Sequence, residues 1–408
     1  MRGPMVIAVV AIAVVSVGLL TLRPRGVAPW IWPIAGAVVV VVAGFEPPRI
    51  AADAIGRQWN VLLFIGGLMG VAAAASEANV FRAVAGRLLV RGRGSKRRLF
   101  VWVFLGGAGM TALLSNDATA VVLTPIIYDI VSDLGIDHLP YVFAGLFVAD
   151  TASFGLPFSN PANVLILPHP NVVRYLLHLG VPELAAIAIN CLVFLWIFRK
   201  QLTGGYTIPP VSPVSAQALR VGIGLLVLTG GYVVALLNHF PLGPVALFGA
   251  IALVAVGRVG PMQAVRRIGW STLAMLAGLF VLLDAVVRAN VANGVIRALD
   301  GHTFGIGVAA AAAFGAAIFS NLFNNLPVAV AGAYAAAHDP TQHIAYPLIA
   351  GVDLGPNLTF SGSVATLLCL DVLRRHGLRV SLRQYVTLGV AVVPLCLAVT
   401  VLWLWIVR

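Results

Sequence analysis

The side chains able to do chemistry in this chain gather in four short clusters inside otherwise apolar stretches. Ser115-Asn116-Asp117 is followed by Thr119 and Thr124-Pro125. FSNPANVL at 158–165 holds Ser159, Asn160, Pro161 and Asn163. SNLFNNLP at 320–327 holds Ser320, Asn321, Asn324, Asn325 and Pro327, and DLGPNLTFSGS at 353–363 holds Asp353, Gly355, Pro356, Asn357, Thr359, Ser361, Gly362 and Ser363. Asn, Ser and Thr supply uncharged donors and acceptors, while Pro and Gly open a helix. Half-helix N-termini offer free N–H groups to electron-rich oxygens, and C-terminal carbonyls favour cations or protons. Such a set suits a neutral, hydroxyl-rich ligand. Its contacts are assigned to Ser115, Asn116, Ser159, Asn160, Asn163, Asn324, Asn325, Asn357, Thr359 and Ser361. No Arg or Lys lies within the clusters, where a dicarboxylate would need a positive field. One cluster alone reads as a helix kink stapled by its own amides, but four point to a shared site.

Carboxylates come next. At the centre of a bilayer each costs at least about 2.5 kcal/mol on insertion scales and so asks for a reason. Asp117, Asp150 and Asp353 are assigned to proton coupling. Asp117 leads because no basic residue lies near it in sequence; Asp353 reads equally well as a cap that orients its break. Asp284 is expected to pair with Arg288 at i+4 near the outer surface, and Glu77 to snorkel from the end of its span. His138, His169, His178, His302 and His343 fall in predicted loops and read as solvated. There is no HExxH pair, G-x-S-x-G or P-loop, so neither an enzyme nor a direct ATP-driven pump is expected. Cys191, Cys369 and Cys396 are scattered through apolar runs, Cys369 as core packing, and no metal or cofactor is implied.

These clusters need a membrane to hold them. The 408 residues are 60% hydrophobic and only 10% charged, with mean hydropathy +0.99. Soluble proteins carry about 25% charged residues, so lipid is the solvent, and a soluble enzyme or nucleic-acid binder is excluded. Ten stretches read as spans: 5–22, 27–45, 59–76, 140–168, 183–198, 219–238, 242–257, 269–287, 345–372 and 385–406. The first continues into further spans and reads as no cleavable signal. Two more stretches, 100–131 and 304–338, are too long for one crossing and break near the middle. Two arms of about 13–15 residues fit a re-entrant hairpin. The predicted fold is all-α and polytopic: about ten transmembrane helices, two re-entrant hairpins and two broken helices (140–168 and 345–372).

Charge orients the fold. With both hairpins returning to their own side, most of the 26 Lys and Arg residues fall in cytoplasmic loops. The loop after the third span, from Arg82 to Arg98, is the densest. A full crossing by either hairpin would put Arg199, Lys200, Arg266 and Arg267 outside, against the positive-inside bias. The order of elements then repeats with opposite orientation. Residues 1–200 form a first half with one extra span, 201–218 a cytoplasmic linker rich in Gly and Pro, and 219–408 a second half. Inverted halves with interrupted helices point to a secondary transporter whose site lies at the midplane.

SNDATAVVLTPI at 115–126, NNLPVAV at 324–330 and GVDLGPNLTFSGSVATLLCL at 351–370 resemble the signature stretches of the arsenite/antimonite efflux permeases (ArsB type) of the ion transporter superfamily. SNPAN at 159–163 is similar to the family's first-half break. Asn357, Phe360 and Cys369 depart from the usual residues and weaken any inference about the exact substrate. The resemblance implies a scaffold, a mobile transport domain, and elevator-type alternating access in the bacterial inner membrane. It also implies export of arsenite or antimonite in exchange for protons, alone or with a soluble ATPase partner at the cytoplasmic loops. Sodium-using relatives carry Ser-Asn-Thr at the hairpin tip; Asp117 in the third position favours a proton. Two alternatives stay open: a sodium/proton antiporter or anion carrier of the same superfamily, and a passive metalloid channel.

Overall fold

The structure, a computed structural model, describes residues 3–22, 24, 27–289, 305–339 and 343–407. In chain order the helices are α1 (Gly3–Leu22), α2 (Ile31–Val42), α3 (Pro48–Arg57), α4 (Trp59–Glu77), α5 (Val80–Arg91), α6 (Lys96–Leu113), α7 (Asn116–Ala118), α8 (Thr124–Asp133), α9 (Leu139–Thr151), α10 (Pro161–Ile166), α11 (Val172–Tyr175) and α12 (Val181–Ile197). There follow α13 (Ala216–Leu237), α14 (Leu242–Val256), α15 (Pro261–Arg267), α16 (Trp270–Arg288), α17 (Ile306–Phe323), α18 (Asn325–Ala337), α19 (Ala345–Leu354), α20 (Val364–Arg375) and α21 (Leu382–Ile406). The chain is an all-helical, multi-pass membrane protein. Among the described residues, seven helices are long and apolar enough to cross a bilayer.

The predicted spans map onto these helices with three differences. The stretches 27–45 and 242–257 shorten to α2 and α14; Gly44 at φ 74 and Arg258 at φ 50 end them in left-handed turns. The span predicted from 183 begins at Val172. Pro182 has no N–H, and the π turn Leu176–Gly180 just before it absorbs the missing bond. The leading arms of the two predicted hairpins, α6 and α17, each have 18 residues, more than the half-span expected. At 1.5 Å per residue each is about 27 Å long. Residue 304 of the second stretch and His302 lie outside the described residues. Three short helices, α3, α5 and α15, were not expected.

Packing divides the helices into neighbourhoods. α4 lies along α14, and α2 along α16, with α1 against both α2 and α16. α9 packs on α6 and α12, while α17 packs on α18, α19 and α21. Contacts also cross between distant parts of the chain: α10 meets α18, and α20 meets the π turn Thr119–Leu123. Three rings pack on buried Tyr385, Phe143 at 6.3 Å and Phe147 and partly buried Phe360 each at 4.8 Å between ring centres, with Phe194 behind Phe147. The Tyr385 hydroxyl donates to the Pro356 carbonyl at 3.3 Å. Gly389 lets α21 press against the Asn357 carbonyl, where a Cβ would collide.

At the end of α16, Asp284 pairs with Arg288 at 2.6 Å, as the i+4 spacing predicts, and also with Arg57 of α3. Glu46, fully buried after α2, lies 3.4 Å from the Arg288 Nε. Burial and the neighbouring Asp284 carboxylate push the Glu46 carboxyl up to about 7, against the pull of Arg288 and Arg57. The native state therefore holds a proton on Glu46 that the unfolded chain releases near 4.5. Its contribution is full below about 4.5 and is lost as pH rises through about 7. Melting of the purified protein should accordingly fall between pH 5 and 8, and Glu46→Gln should flatten that slope.

Candidate functional site

The first hairpin turns at Leu114–Ser115. Ser115 Oγ caps α7 by accepting from the Ala118 N–H at 3.3 Å, and Asn116 Oδ1 accepts from the Asp117 N–H at 2.9 Å. The helix resumes through the π turn, where Thr111 donates to Thr119 Oγ1 at 3.0 Å and Thr124 donates to the Thr119 carbonyl at 3.2 Å. Asn116 also reaches the first broken helix: its N–H donates to the Ser159 carbonyl at 3.2 Å and its Nδ2 to Asp150 Oδ1 at 3.2 Å.

Between α9 and α10 the backbone is unwound from 152 to 160, and polar side chains take up its freed carbonyls. Ser159 Oγ lies 2.6 Å from the Ser153 carbonyl and 2.8 Å from that of Leu156; Asn163 Nδ2 donates to the same two at 2.7 and 3.0 Å. Asn160 Oδ1 caps Ala162 N–H at 3.0 Å. Glu183 Oε2, from α12, accepts from Gly155 N–H at 2.6 Å, an approach that a Cβ at Gly155 would block.

The second half is built differently around one amide. Asn321 Nδ2 donates to the Gly355 carbonyl at 2.7 Å, while its Oδ1 accepts from Thr359 Oγ1 at 2.7 Å and its carbonyl from Ser361 Oγ at 2.9 Å. The turn itself rests on Asn324, at φ 71 and ψ 152. That region is sparsely populated by residues with a side chain, and such strain is worth about 1–3 kcal/mol. The Asn324 side chain offsets it by donating to the Ser361 carbonyl at 3.2 Å and accepting from Leu326 N–H at 3.4 Å.

Two cross-links join the broken helices. Asp353 Oδ1 accepts from Asn160 Nδ2 at 2.8 Å, and Oδ2 lies 2.9 Å from Ser153 Oγ. Asn357 Nδ2 donates to the Phe147 carbonyl at 3.0 Å and to Thr151 Oγ1 at 3.1 Å.

A cavity of about 330 Å³ opens where these parts meet α4 and the start of α16. Asp117, Asn160, Asn325 and Ser363 line it from the four clusters; Ser76, Arg267, Ser271 and Thr272 line the opposite wall. Arg267 is held at this wall by Glu77 at 2.6 Å and Ser76 Oγ at 3.3 Å. A larger crevice of about 750 Å³ among α1, α16, α17 and α18 is almost wholly apolar and lacks the partners a hydroxyl-rich solute needs.

The structure thus brings Asp117, Asn160 and Asn325 to one cavity and sets the other expected residues behind it. Asp150, Asp353, Asn116, Ser159 and Asn163 form its supporting layer, Asn357 faces α9, and Ser115, Asn324, Thr359 and Ser361 hold the turns. Sequence reading missed the Ser76–Arg267–Thr272 wall, which comes from spans with no break to draw attention. It also missed Glu183 and Ser153. His178 is corrected: it is buried in the π turn rather than solvated, because the helix predicted from 183 already begins at Val172. Glu77 is paired with Arg267 at its span's end.

Apolar helices enclosing interrupted segments around a polar cavity define a membrane transporter. The chain belongs to the CitMHS family, described as "Citrate transporter", whose model matches residues 3–352. It is 28% identical over 409 residues to the "Arsenical pump membrane protein" of Escherichia coli K12, covering 93% of this chain and 94% of that protein. The protein of the same name from Yersinia enterocolitica is 28% identical over 360 residues, covering 81% and 82%. These matches agree with the family resemblance read at 115–126, 324–330 and 351–370. The fold is similar to that of the solved Alcanivorax borkumensis YdaH transporter: TM-score 0.56, 12% identity, covering 87% of this chain and 86% of that one.

Asn160→Ala strips the amide from a buried Asp353 oxygen and should lower stability by about 1–3 kcal/mol. The same change at exposed Asn238 should leave the melting temperature as it was. Equal melting of the two variants would remove the Asn160–Asp353 staple from the account.

Proposed function

We propose that this chain exports trivalent arsenic or antimony hydroxides across the bacterial inner membrane in exchange for protons. The cavity carries the reading, since it joins Asp117 to the amides and hydroxyls of the other three breaks. Arsenous acid is essentially uncharged at neutral pH and hydroxyl-rich, so Asn160, Asn325, Ser363, Ser76, Ser271 and Thr272 suit it as partners. Weak amide binding also suits release. Asp117 supplies a group that can bind and give up a proton, and the relatives named as arsenical pump membrane proteins support the substrate class. No cofactor enters the scheme.

On this reading the two hairpins are re-entrant, the halves are inverted repeats, and the breaks move as one body by an elevator motion. The basic segment from Arg82 to Arg98, most of helix α5 and the turn into α6, is the cytoplasmic place for a soluble ATPase partner. One proton crossing 100 mV releases about 2.3 kcal/mol, and each pH unit about 1.4 kcal/mol. A neutral solute could thus be concentrated several hundredfold at one proton per cycle.

Arg267 favours a second reading. It places a guanidinium at the wall of a cavity whose breaks carry no cation, and the family model is described as a citrate transporter. An anion carrier would use that charge directly. Everted vesicles separate the two. Arsenite uptake driven by an imposed pH gradient, independent of sodium and lost in Asp117→Asn at normal protein levels, is expected. Uptake of citrate but not arsenite, abolished by Arg267→Gln, would establish the anion reading, and arsenite transport unchanged in Asp117→Asn would remove Asp117 from the mechanism. Equilibration of arsenite with no response to the pH gradient would mark a passive channel instead.

A further inference from the structure

We propose that His178, Tyr346, Tyr175 and Glu183 form a proton path from the outer face to Asp353, reaching the breaks from behind the candidate cavity. This rests on the proton-exchange reading and adds to it the route and the residues. All five side chains are buried.

The path begins in the π turn Leu176–Gly180, at the end of the molecule that the loop charges assign to the outside. His178 Nδ1 lies 2.7 Å from the Arg174 carbonyl. A carbonyl only accepts, so Nδ1 carries the hydrogen and, in the neutral ring, Nε2 keeps a lone pair. Nε2 has no protein partner, and neither has the hydroxyl of Tyr346, whose ring stacks on the imidazole at 4.5 Å and 20°. Buried polar atoms of this kind are the ones that internal water bridges. The ring of Tyr175 meets Tyr346 edge-on at 6.2 Å. Its hydroxyl donates to the Phe154 carbonyl at 2.9 Å, and Glu183 accepts from the next residue's N–H. Tyr346 and Asp353 are seven residues apart on α19, two turns along one helix face.

The surroundings of His178 contain few competing charges. Its own segment brings Arg174, which contacts His343 at 3.3 Å. α12 brings Glu183, α19 brings Tyr346 and Asp353, and α21 brings Trp403, which donates to the Leu177 carbonyl at 2.8 Å. A proton taken at His178 Nε2 leaves from the same atom to the Tyr346 hydroxyl, which passes its own hydrogen to the Tyr175 oxygen as Tyr175, turning from the Phe154 carbonyl, gives its own to the Glu183 carboxylate. Glu183 then hands that proton to the Asp353 carboxylate and returns to its charged form. No other bond changes.

The receiving end fits a proton on Asp353. Ser153 Oγ lies 2.9 Å from both the Asp150 carbonyl and Asp353 Oδ2. One hydroxyl hydrogen cannot serve two acceptors; with Ser153 donating to the carbonyl, a hydrogen on Asp353 Oδ2 completes the second bond. Asn160 touches both Asp353 and the cavity, so loss of that proton is felt where solute binds.

The test uses the full chain in proteoliposomes with a trapped pH dye and arsenite as the solute. His178→Gln and Tyr346→Phe should each slow arsenite-dependent proton flux on the order of tenfold or more. Arsenite–arsenite exchange at equal pH, which needs no net proton transfer, should run at the wild-type rate. Proton flux unchanged in both variants would overturn the path. So would parallel loss of flux and exchange in both, which marks a packing role. Wild-type arsenite transport without any proton movement would instead sink the exchange reading itself, and the path with it.

Discussion

Unwound backbone inside a bilayer has no water to turn to, and this chain depends on meeting that demand from within. Each interrupted helix frees carbonyls and N–H groups whose desolvation would cost several kcal/mol apiece. The answer is a set of short polar side chains placed within a few residues of every break: Ser159 and Asn163 in the first half, Asn321 in the second. Because these side chains are committed to the backbone, few are left to face solute. That division of labour explains why only Asp117, Asn160, Asn325 and Ser363 reach the cavity from clusters containing many more polar residues.

The two halves meet the demand differently. In the first, Asn163 donates to the Ser153 and Leu156 carbonyls, and the Ser159 hydroxyl lies within 2.8 Å of both and serves one at a time. In the second, Asn321 ties hairpin to break through three bonds, and Asn324, in a strained turn, adds one to the Ser361 carbonyl. The cross-links Asp353–Asn160 and Asn357–Thr151 then make the two breaks mechanically one piece. Opposite them, α4 and α16 contribute an unbroken wall that packs against that piece and, among the described residues, makes no side-chain hydrogen bond to it.

Much of this was legible in the sequence because the signals are local. Four polar clusters in apolar runs, with Pro and Gly beside them, mark unwinding wherever they occur. What escaped is what an interrupted helix hides: once the 3.6-residue period is broken, spacing no longer says which face a side chain takes. Asn357 read as solute-facing and faces α9; His178 read as a loop residue and is buried in a π turn, because the helix predicted from 183 already begins at Val172. Arg267 lies near the end of short helix α15, and nothing along the chain announces that it folds back to Glu77. The short helices α3, α5 and α15 have 10, 12 and 7 residues, too few for a spanning signal.

The contrast between the cavity's two walls bears on how such a protein diversifies. One wall is a lattice of amides in which almost any replacement disturbs the backbone. The other is a smooth helical surface where Ser271 and Thr272 hold up no interrupted backbone and Ser76 serves only Arg267. New substrate preferences, in nature or in the laboratory, should therefore accumulate on the plain wall, leaving the knotted one as the inherited chassis.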